Sequence, residues 1–255
     1  MLLDTPPSKT SRGKVLIDGD IIAYRAAYSA DNGTERDALQ KVHDVMRWVV
    51  GNTCYSSEIE DFHVYLTGSG NFRYDIAQFR PYKGNRSDRD RPTYLHFVRQ
   101  YMMDTYEATM SQGEEADDLI AIEATRLGPS TVVASIDKDM LQIPCFHYNF
   151  KRDEWHSVSE FDGLKFFYGQ ILSGDTADNI IGLQGIGPVK SKKMLAECDT
   201  EDELWEAVVN AYSGDIERVV ENARLLWLRK KQEELWEPPT AHEEPEQSEK
   251  DTDQD

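Results

Sequence analysis

Short hydrophobic runs alternate along the chain with longer amphipathic stretches. Three runs predict buried strands and end in polar residues: 14–17 before Asp18-Gly19-Asp20, 62–66 before Thr67, and 131–136 before Asp137. Helices are predicted from near 21, at 35–50 and at 204–211, and the chain from 154 to 236 is predicted to be largely helical. This alternation predicts an α/β fold with a parallel sheet, whose functional side chains lie at the carboxyl ends of the strands.

The charge of the chain is unevenly distributed. The 255 residues carry 28 basic and 47 acidic side chains, a net charge of −19 that by itself argues against a nucleic-acid partner. Residues 233–255 hold ten acids and one lysine, so we expect an acidic, disordered tail at 237–255. Residues 73–99 instead hold seven bases against three acids, with aromatic residues interleaved. That pattern favours a strip that follows single-stranded DNA over an ordinary solvated loop and helix.

The composition also restricts the compartment. There is no apolar run of the roughly 20 residues needed to cross a bilayer, and no apolar segment of signal-peptide length follows the polar start. We therefore expect a cytoplasmic protein without a membrane partner. The three cysteines are far apart, so they predict buried apolar side chains rather than disulfides or a zinc site.

Acidic residues cluster where the predicted strands and helices meet. They are Asp18 and Asp20 after the first strand, Glu115, Asp117 and Asp118 at a helix start, Asp137 and Asp139 after the strongest strand, and Asp175 and Asp178 at spacing i and i+3. Each group alone is equally well explained by helix capping or a turn. Together they would repel each other, and hard divalent cations such as Mg²⁺ or Mn²⁺ are the usual compensation. Paired ions of this kind serve phosphodiester hydrolysis.

A glycine-rich turn supplies a second signal. The segment at 182–193 reads GLQGIGPVKSKK, with a proline suited to the first helical position and three lysines without an acid. Such a turn can simply end a helix, but here it predicts a helix-hairpin-helix that holds the backbone of duplex DNA.

In chain order, five motifs resemble the flap endonuclease / 5′→3′ exonuclease family, in particular its bacteriophage members and the 5′-nuclease domain of bacterial DNA polymerase I. They are LIDG with YR at 16–25, YKGNR at 82–86, EADD at 115–118, DKD at 137–139, and GD through DN to GIG at 174–187. The resemblance covers about residues 14–195. It implies a PIN-like core, a helical arch over the active site, two divalent cations, and a helix-three-turn-helix lobe that binds duplex DNA with a monovalent cation such as K⁺.

The resemblance also implies residue roles. The metal-site carboxylates would be Asp18, Glu115, Asp117, Asp118, Asp137, Asp139, Asp175 and Asp178. Lys83 and Arg86 would contact the scissile phosphate, Tyr24 would stack on a base, and Arg25 would be a basic active-site residue. The predicted DNA contacts are completed by Arg73, Arg80 and Tyr82 in the arch and by Gly185, Gly187, Lys190, Lys192 and Lys193 in the hairpin.

One position departs from the family pattern. The family has a metal-site Asp at the end of the second strand, shortly before a Phe-Arg or Trp-Arg pair. In this chain the metal-ligand position corresponds to Gly68, a few residues before Phe72-Arg73. Asp20, Asp75 or a water could substitute for the missing acid. We therefore expect activity to need more metal than a full set of acids would.

The predicted domains are a flexible N-terminus at 1–13, a nuclease core at 14–160 with the arch at 72–112, a helical DNA-binding region at 161–236, and the tail at 237–255. The predicted function is a stand-alone, monomeric, metal-dependent 5′→3′ exonuclease or flap endonuclease. It would act on DNA with a 5′ end or flap, or on an RNA–DNA hybrid, in the host bacterial cytoplasm if a virus encodes it. The alternatives are a haloacid-dehalogenase-type phosphatase, whose motif pattern leaves the middle acids unexplained, and a non-catalytic protein that binds DNA structures.

Overall fold

The computed structural model describes residues 1–56, 58–86 and 91–239. A seven-stranded sheet forms its centre, in the spatial order β1-β7-β6-β5-β2-β3-β4. Its strands are β1 (Leu2–Leu3), β2 (Val15–Asp18), β3 (Phe62–Ser69), β4 (Thr109–Gln112), β5 (Val132–Ala134), β6 (Phe146–Asn149) and β7 (Glu154–Ser157). A separate antiparallel pair consists of β8 (Gly174–Asp175) and β9 (Ile180–Ile181).

The helices of the described residues surround this sheet and continue beyond it. They are α1 (Gly19–Ser29), α2 (Glu35–Thr53), α3 (Arg73–Ile76), α4 (Leu95–Tyr106), α5 (Ala116–Leu127), α6 (Glu160–Ser173), α7 (Pro188–Met194), α8 (Glu201–Ala211) and α9 (Ile216–Leu226). The three predicted strands and the helices near 21, 35 and 204 are therefore confirmed. The helical character after 154 is confirmed from α6 onward.

The sheet differs from the prediction at one side. The five strands from β4 to β6 run parallel, but β7 pairs antiparallel with β6, and β1 pairs antiparallel with β7. The sheet is therefore mixed. Because Leu2 and Leu3 belong to it, the prediction of a flexible N-terminus is wrong at this end of the chain. Arg12 is also fixed, since its guanidinium lies 4.3 Å from the Trp155 ring centroid and donates to the carbonyl oxygen of Thr53 at 3.1 Å.

Three hydrophobic clusters hold the elements in place. The largest joins β2, β3 and β5 to α1, α2 and α4, and a smaller one packs α5 against the other face of the sheet. A third cluster unites α6, α8 and α9 with Trp227 and Trp236. Tyr82 is its one fully buried member from before residue 160 among the described residues, so this segment connects the core to the helical region.

Helix α4 lies within the predicted arch but packs against the core. Leu95, Val98 and Met102 are buried in the largest cluster. The part of the predicted arch at 87–90 and the part of the predicted tail at 240–255 lie outside the described residues. No described helix combines the length and apolar character that a bilayer crossing requires.

Candidate active site at the carboxyl ends of the strands

Asp18 ends the central strand β2 and is almost completely buried. Its Oδ1 accepts the N–H of Ile21 at 3.2 Å, which caps α1, and its Oδ2 accepts the hydroxyl of Ser135 at 2.6 Å. Burial raises the pKa of Asp18 to about 7 despite the Ser135 bond, and the neighbouring charges of Asp20 and Asp137 add to the rise. Several carboxylates therefore meet at this strand end.

The start of α5 brings the next acids to the same place. Glu115 is the N-cap residue, and its carboxylate and that of Asp118 form a reciprocal capping box. Asp117 lies in the first turn. Burial raises its pKa well above the ordinary value, and the charges of Asp18, Asp137 and Glu115 raise it further. Asp117 therefore lies near the end of β2, as predicted.

The third and fourth groups lie beside each other. Asp137 follows β5 and caps a short 3₁₀ helix, Lys138–Gln142, by accepting the N–H of Asp139 at 2.9 Å. Burial raises the pKa of Asp139 to about 7, and Asp137, Asp175 and Asp178 add to this effect. Lys138 bridges the groups, because its Nζ lies 3.1 Å from Asp175 Oδ2 and 3.8 Å from Asp139 Oδ1.

Basic side chains from the predicted arch contact this acidic cluster. Lys83 forms an ion pair with Glu115, and its Nζ lies 3.9 Å from Asp178 Oδ1. Arg86 donates from Nη2 to Asp178 Oδ1 at 2.6 Å and from Nε to the carbonyl oxygen of Ala177 at 3.1 Å. The structure therefore places Lys83 and Arg86 at the predicted site, each paired with a carboxylate.

Two predicted DNA contacts have other partners. Arg73 is only 2% exposed, and its guanidinium binds both oxygens of Asp118 at 2.6 and 2.8 Å and the carbonyl oxygens of Leu225 and Trp227. Tyr82 is 3% exposed, and its hydroxyl lies 2.8 Å from a carboxylate oxygen of Glu115 and of Asp178. The prediction that Arg73 and Tyr82 touch DNA is wrong, because burial withdraws both from solvent.

Asp118 was predicted as a metal ligand, and the structure contradicts this. Its carboxylate is fully buried, is bound by Arg73, and also accepts the backbone N–H of Arg229 at 3.2 Å. Burial would raise the pKa of Asp118, but the charge and hydrogen bonds of Arg73, together with the backbone N–H groups of Arg229 and Glu115, lower it below the ordinary value. Asp118 therefore joins α5 to the chain after α9 rather than facing the other acids.

The position of the missing acid also changes. A Cβ atom on Gly68 would lie 1.9 Å from the carbonyl oxygen of Ser111, because β3 and β4 approach closely there, so no side chain fits. The preceding Thr67 is the better candidate, since its hydroxyl accepts the N–H of Ala116 at the start of α5 at 3.0 Å. This backbone therefore has no room for a ligand side chain at position 68.

The two acids that could substitute for the missing ligand, Asp20 and Asp75, lie in different parts of the structure. Asp20 accepts the backbone N–H of Thr67 at 2.8 Å and forms an ion pair with Arg99, which also donates to the carbonyl oxygen of Thr67. Asp75 is exposed on α3. Only Asp20 lies beside the strand end, and a guanidinium already neutralises it.

Several residues of the site escaped the sequence interpretation. Ser135 binds Asp18, Gln170 donates to Asp139 Oδ1 at 2.7 Å, and Gln142 donates to Gln170 Oε1 at 2.9 Å. Uncharged side chains carry no charge pattern, so no signal in one sequence singles them out. Arg99 was counted only as part of the basic strip.

The remaining predicted DNA contacts lie on the surface. Tyr24 is exposed and Arg25 partly exposed on α1, and Arg80 is exposed before Tyr82. Gly187 caps α7 with Pro188 as its first residue, and Gly185 has a positive φ of 74°, which suits a glycine in the preceding turn. Lys190, Lys192 and Lys193 are exposed on α7.

The described residues show no group of three or more His, Cys, Asp or Glu side chains arranged around a possible ion position. The acids are close enough to raise each other's pKa values. Four of them are also paired with a cation of the chain: Glu115 with Lys83, Asp178 with Arg86, Asp175 with Lys138 and Asp20 with Arg99. The cluster is therefore partly neutralised by side chains of the chain itself.

Fold and site together define a class: an α/β protein with the PIN-like arrangement of a central sheet flanked by helices. The bacteriophage T5 flap endonuclease, in a pseudo-enzyme–product complex with DNA and metal ions, has this fold with a TM-score of 0.65 at 17% identity. The match covers 84% of this chain and 89% of that one.

No family model matches the chain. DNA polymerase I of Bacillus subtilis is 28% identical over 225 residues, which is 78% of this chain but only 25% of the polymerase. A 5′-3′ exonuclease of Mycoplasma genitalium is 26% identical over 220 residues, 75% of this chain and 74% of that protein. These similarities confirm the resemblance to the flap endonuclease / 5′→3′ exonuclease family.

Proposed function

We propose that this chain is a metal-dependent nuclease that hydrolyses phosphodiester bonds near the 5′ end of duplex or flapped DNA and leaves 5′-phosphates. One observation carries the proposal: carboxylates from four separate segments meet beside Lys83 and Arg86 at the carboxyl ends of the parallel strands. The similarity to a 5′-3′ exonuclease and to DNA polymerase I supports the same reaction.

The chemistry of the donor set fits hard divalent cations. Asp18, Glu115, Asp117, Asp137, Asp139, Asp175 and Asp178 offer only oxygen atoms, and burial and mutual repulsion raise the pKa values of Asp18, Asp117 and Asp139. These seven residues would hold Mg²⁺ or Mn²⁺. Such ions, when bound, activate a water and stabilise charge on the phosphate.

The chain's own cations would act on the phosphate. Lys83 and Arg86 pair with Glu115 and Asp178, the carboxylates that Tyr82 also bridges. A phosphate oxygen would replace a carboxylate oxygen as the partner of these cations when substrate binds. Removing one preorganised donor of this kind costs about 10²–10³ in rate.

The DNA on either side of the cut would be held by separate surfaces. The turn with Gly185 and Gly187 and the exposed Lys190, Lys192 and Lys193 suit duplex backbone, with K⁺ as the monovalent cation that the resemblance implies. Tyr24 and Arg25 would meet the substrate near the cut. We further propose that the protein acts as a monomer in the cytoplasm and accepts an RNA–DNA hybrid as well.

Cleavage of a matched series of 5′-flap, nicked and blunt duplexes with titrated Mg²⁺ tests the proposal. We expect short 5′-phosphorylated products from the flap and nicked substrates. Asp139→Asn should abolish them and retain DNA binding, whereas Glu60→Gln, at an exposed acid far along the chain, should cut normally. Tight flap binding with no product at any Mg²⁺ or Mn²⁺ concentration would contradict the proposal and favour a non-catalytic binding protein.

A further inference from the structure

A cavity of about 210 Å³ lies between α9, β9 and the chain just before Tyr82. Its walls include Phe79, Arg80, Asn179, Ile181, Arg218 and Glu221. The volume is below the roughly 300–1,000 Å³ of pockets that enclose a drug-sized ligand, so it suits one planar ring system.

An aromatic ring stands at the mouth of this cavity. Phe79 is 51% exposed, so about half of its ring surface is available to a ligand. The guanidinium of Arg218 lies 5.5 Å from the centroid of the Phe79 ring. Glu221 Oε1 accepts the backbone N–H groups of Gln78 and Phe79 at 2.8 and 2.9 Å, so a side chain of α9 fixes the backbone that carries the ring.

The walls are positively charged on balance. Arg80 and Arg218 contribute two guanidinium groups, and the one facing carboxylate, Glu221, is engaged by two backbone donors. Arg218 uses Nη2 to bind the carbonyl oxygen of Ile181 at 3.1 Å, which leaves its other nitrogen donors for a ligand. An exposed ring beside two guanidinium groups matches the chemistry that binds a base together with its phosphate.

The cavity is lined by segments that continue into the acidic cluster. Arg80 lies three residues before Lys83, and Asn179 directly follows Asp178. The two segments are joined by the backbone hydrogen bond from Lys83 N to Asp178 O at 2.9 Å and by the Asn179 side chain, which donates to the carbonyl oxygen of Pro81 at 2.9 Å. A DNA single strand that leaves the site near Lys83 can therefore continue to the cavity along residues 80–83.

From this geometry we propose that the cavity binds one nucleotide of a single-stranded DNA segment, with the base against Phe79 and the phosphate between Arg80 and Arg218. The inference rests on the proposed nuclease function only for the presence of a single strand near the site. It adds a binding site outside the acidic cluster and outside the hairpin of α7.

The test compares two DNA probes in EDTA, where no cleavage occurs: a duplex with a ten-nucleotide 5′ flap and the same nicked duplex without the flap. Fluorescence anisotropy gives Kd for the wild type, Phe79→Ala and Arg80→Gln. We expect Phe79→Ala to weaken flap binding about tenfold, within the usual loss for one stacked base, and Arg80→Gln to weaken it through the lost phosphate contact; both should leave nicked-duplex binding unchanged. Tyr55→Ala and Arg152→Gln, at an exposed aromatic and an exposed arginine elsewhere, serve as controls.

Equal weakening on both probes, or unchanged Kd on both, would overturn the nucleotide site. A fluorescent base placed along the flap gives a second readout, since its quenching should be lost only in Phe79→Ala. Thermal unfolding confirms that each variant folds, which the exposure of Phe79 and Arg80 favours. If the wild type cuts no DNA but its flap binding still depends on Phe79, the proposed function is wrong and the nucleotide site is supported. If the wild type cuts DNA normally but Phe79→Ala binds the flap as tightly as the wild type, the proposed function is supported and the nucleotide site is wrong.

Discussion

Arg73 and Asp118 form a buried, bidentate ion pair that joins the start of α5 to the chain after α9. The guanidinium nitrogens lie 2.6 and 2.8 Å from the carboxylate oxygens, and Arg73 also binds the carbonyl oxygens of Leu225 and Trp227. Because Asp118 caps α5 from within, the pair also fixes Glu115 and Asp117 at the active site. It is a positioning element rather than a DNA contact.

Breaking this pair should destabilise the protein strongly. Arg73→Gln leaves a buried carboxylate without its cation, a change that typically costs about 3–5 kcal/mol, and urea unfolding would measure it. The matched control is Arg126→Gln, because Arg126 makes the same bidentate contact with Glu123 but is 65% exposed, and we expect little change there. Equal midpoints for the two variants would contradict the assigned role of Arg73.

The strand end offers a second comparison, between Thr67 and Gly68. Gly68→Ala should be destabilised by at least the 1–3 kcal/mol that overpacking usually costs, because its Cβ would lie 1.9 Å from the Ser111 carbonyl oxygen.

Thr67→Asp should fold, since its carboxylate can still accept the N–H of Ala116, and it should lower the Mg²⁺ concentration for half-maximal cleavage. Thr67→Asn is the uncharged control. The same Mg²⁺ requirement in the wild type, Thr67→Asp and Thr67→Asn would show that residue 67 does not face the ion positions.

The contribution of His147 to stability should fall as the pH drops from 6.5 to 4, whereas the raised pKa values of Asp18 and Asp139 act in the opposite direction. The His147 side chain is buried on the interior strand β6, its Nε2 donates to the carbonyl oxygen of Ile143 at 2.8 Å, and burial lowers its pKa from 6.5 to about 4. In the unfolded chain His147 is protonated below pH 6.5, whereas in the folded chain it stays neutral down to about pH 4. The stability present above pH 6.5 is therefore lost progressively down to pH 4, by about 3 kcal/mol at most.

Urea unfolding of the wild type and His147→Gln between pH 7 and 4 isolates this effect, because all other titrating groups are common to both proteins. The variant is expected to be less stable at pH 7 but to lose less stability on acidification. Parallel pH profiles would mean that His147 is already accessible to protons in the folded state.

The acidic residues at 240–255 should weaken DNA binding at low salt. This segment holds seven acids and one lysine, a net charge of −6. The cut belongs after residue 239, because Glu237 forms an ion pair with Arg224 at 2.7 Å. Deletion is expected to tighten non-specific duplex binding at 0.01 M salt, where the Debye length is about 30 Å, and to have little effect at 0.15 M. Unchanged affinity at both salt concentrations would show that this charge does not act on DNA.

The sequence by itself determined the elements and most of the site. Short hydrophobic runs located β2, β3 and β5, amphipathic stretches located the main helices, and carboxylates at strand ends and helix starts identified the acidic cluster. These features are local, since they depend on residues within a few positions of each other. The placement of Lys83 and Arg86 near the cluster followed from the family resemblance, and their ion pairs with Glu115 and Asp178 are visible only in the structure.

Only the tertiary structure decided which charged residues face the site. Arg73 and Arg86 belong to the same basic strip, and Asp117 and Asp118 to the same motif, yet one member of each pair is buried in an internal ion pair while the other joins the site. The approach of β4 to β3 excluded Gly68, and the fold of α9 over residues 78–81 created the cavity at Phe79. Charge and spacing do not distinguish these partners, because a buried charge is paired by contacts between distant segments: Arg73 binds Asp118, 45 residues away, and Leu225, 152 residues away.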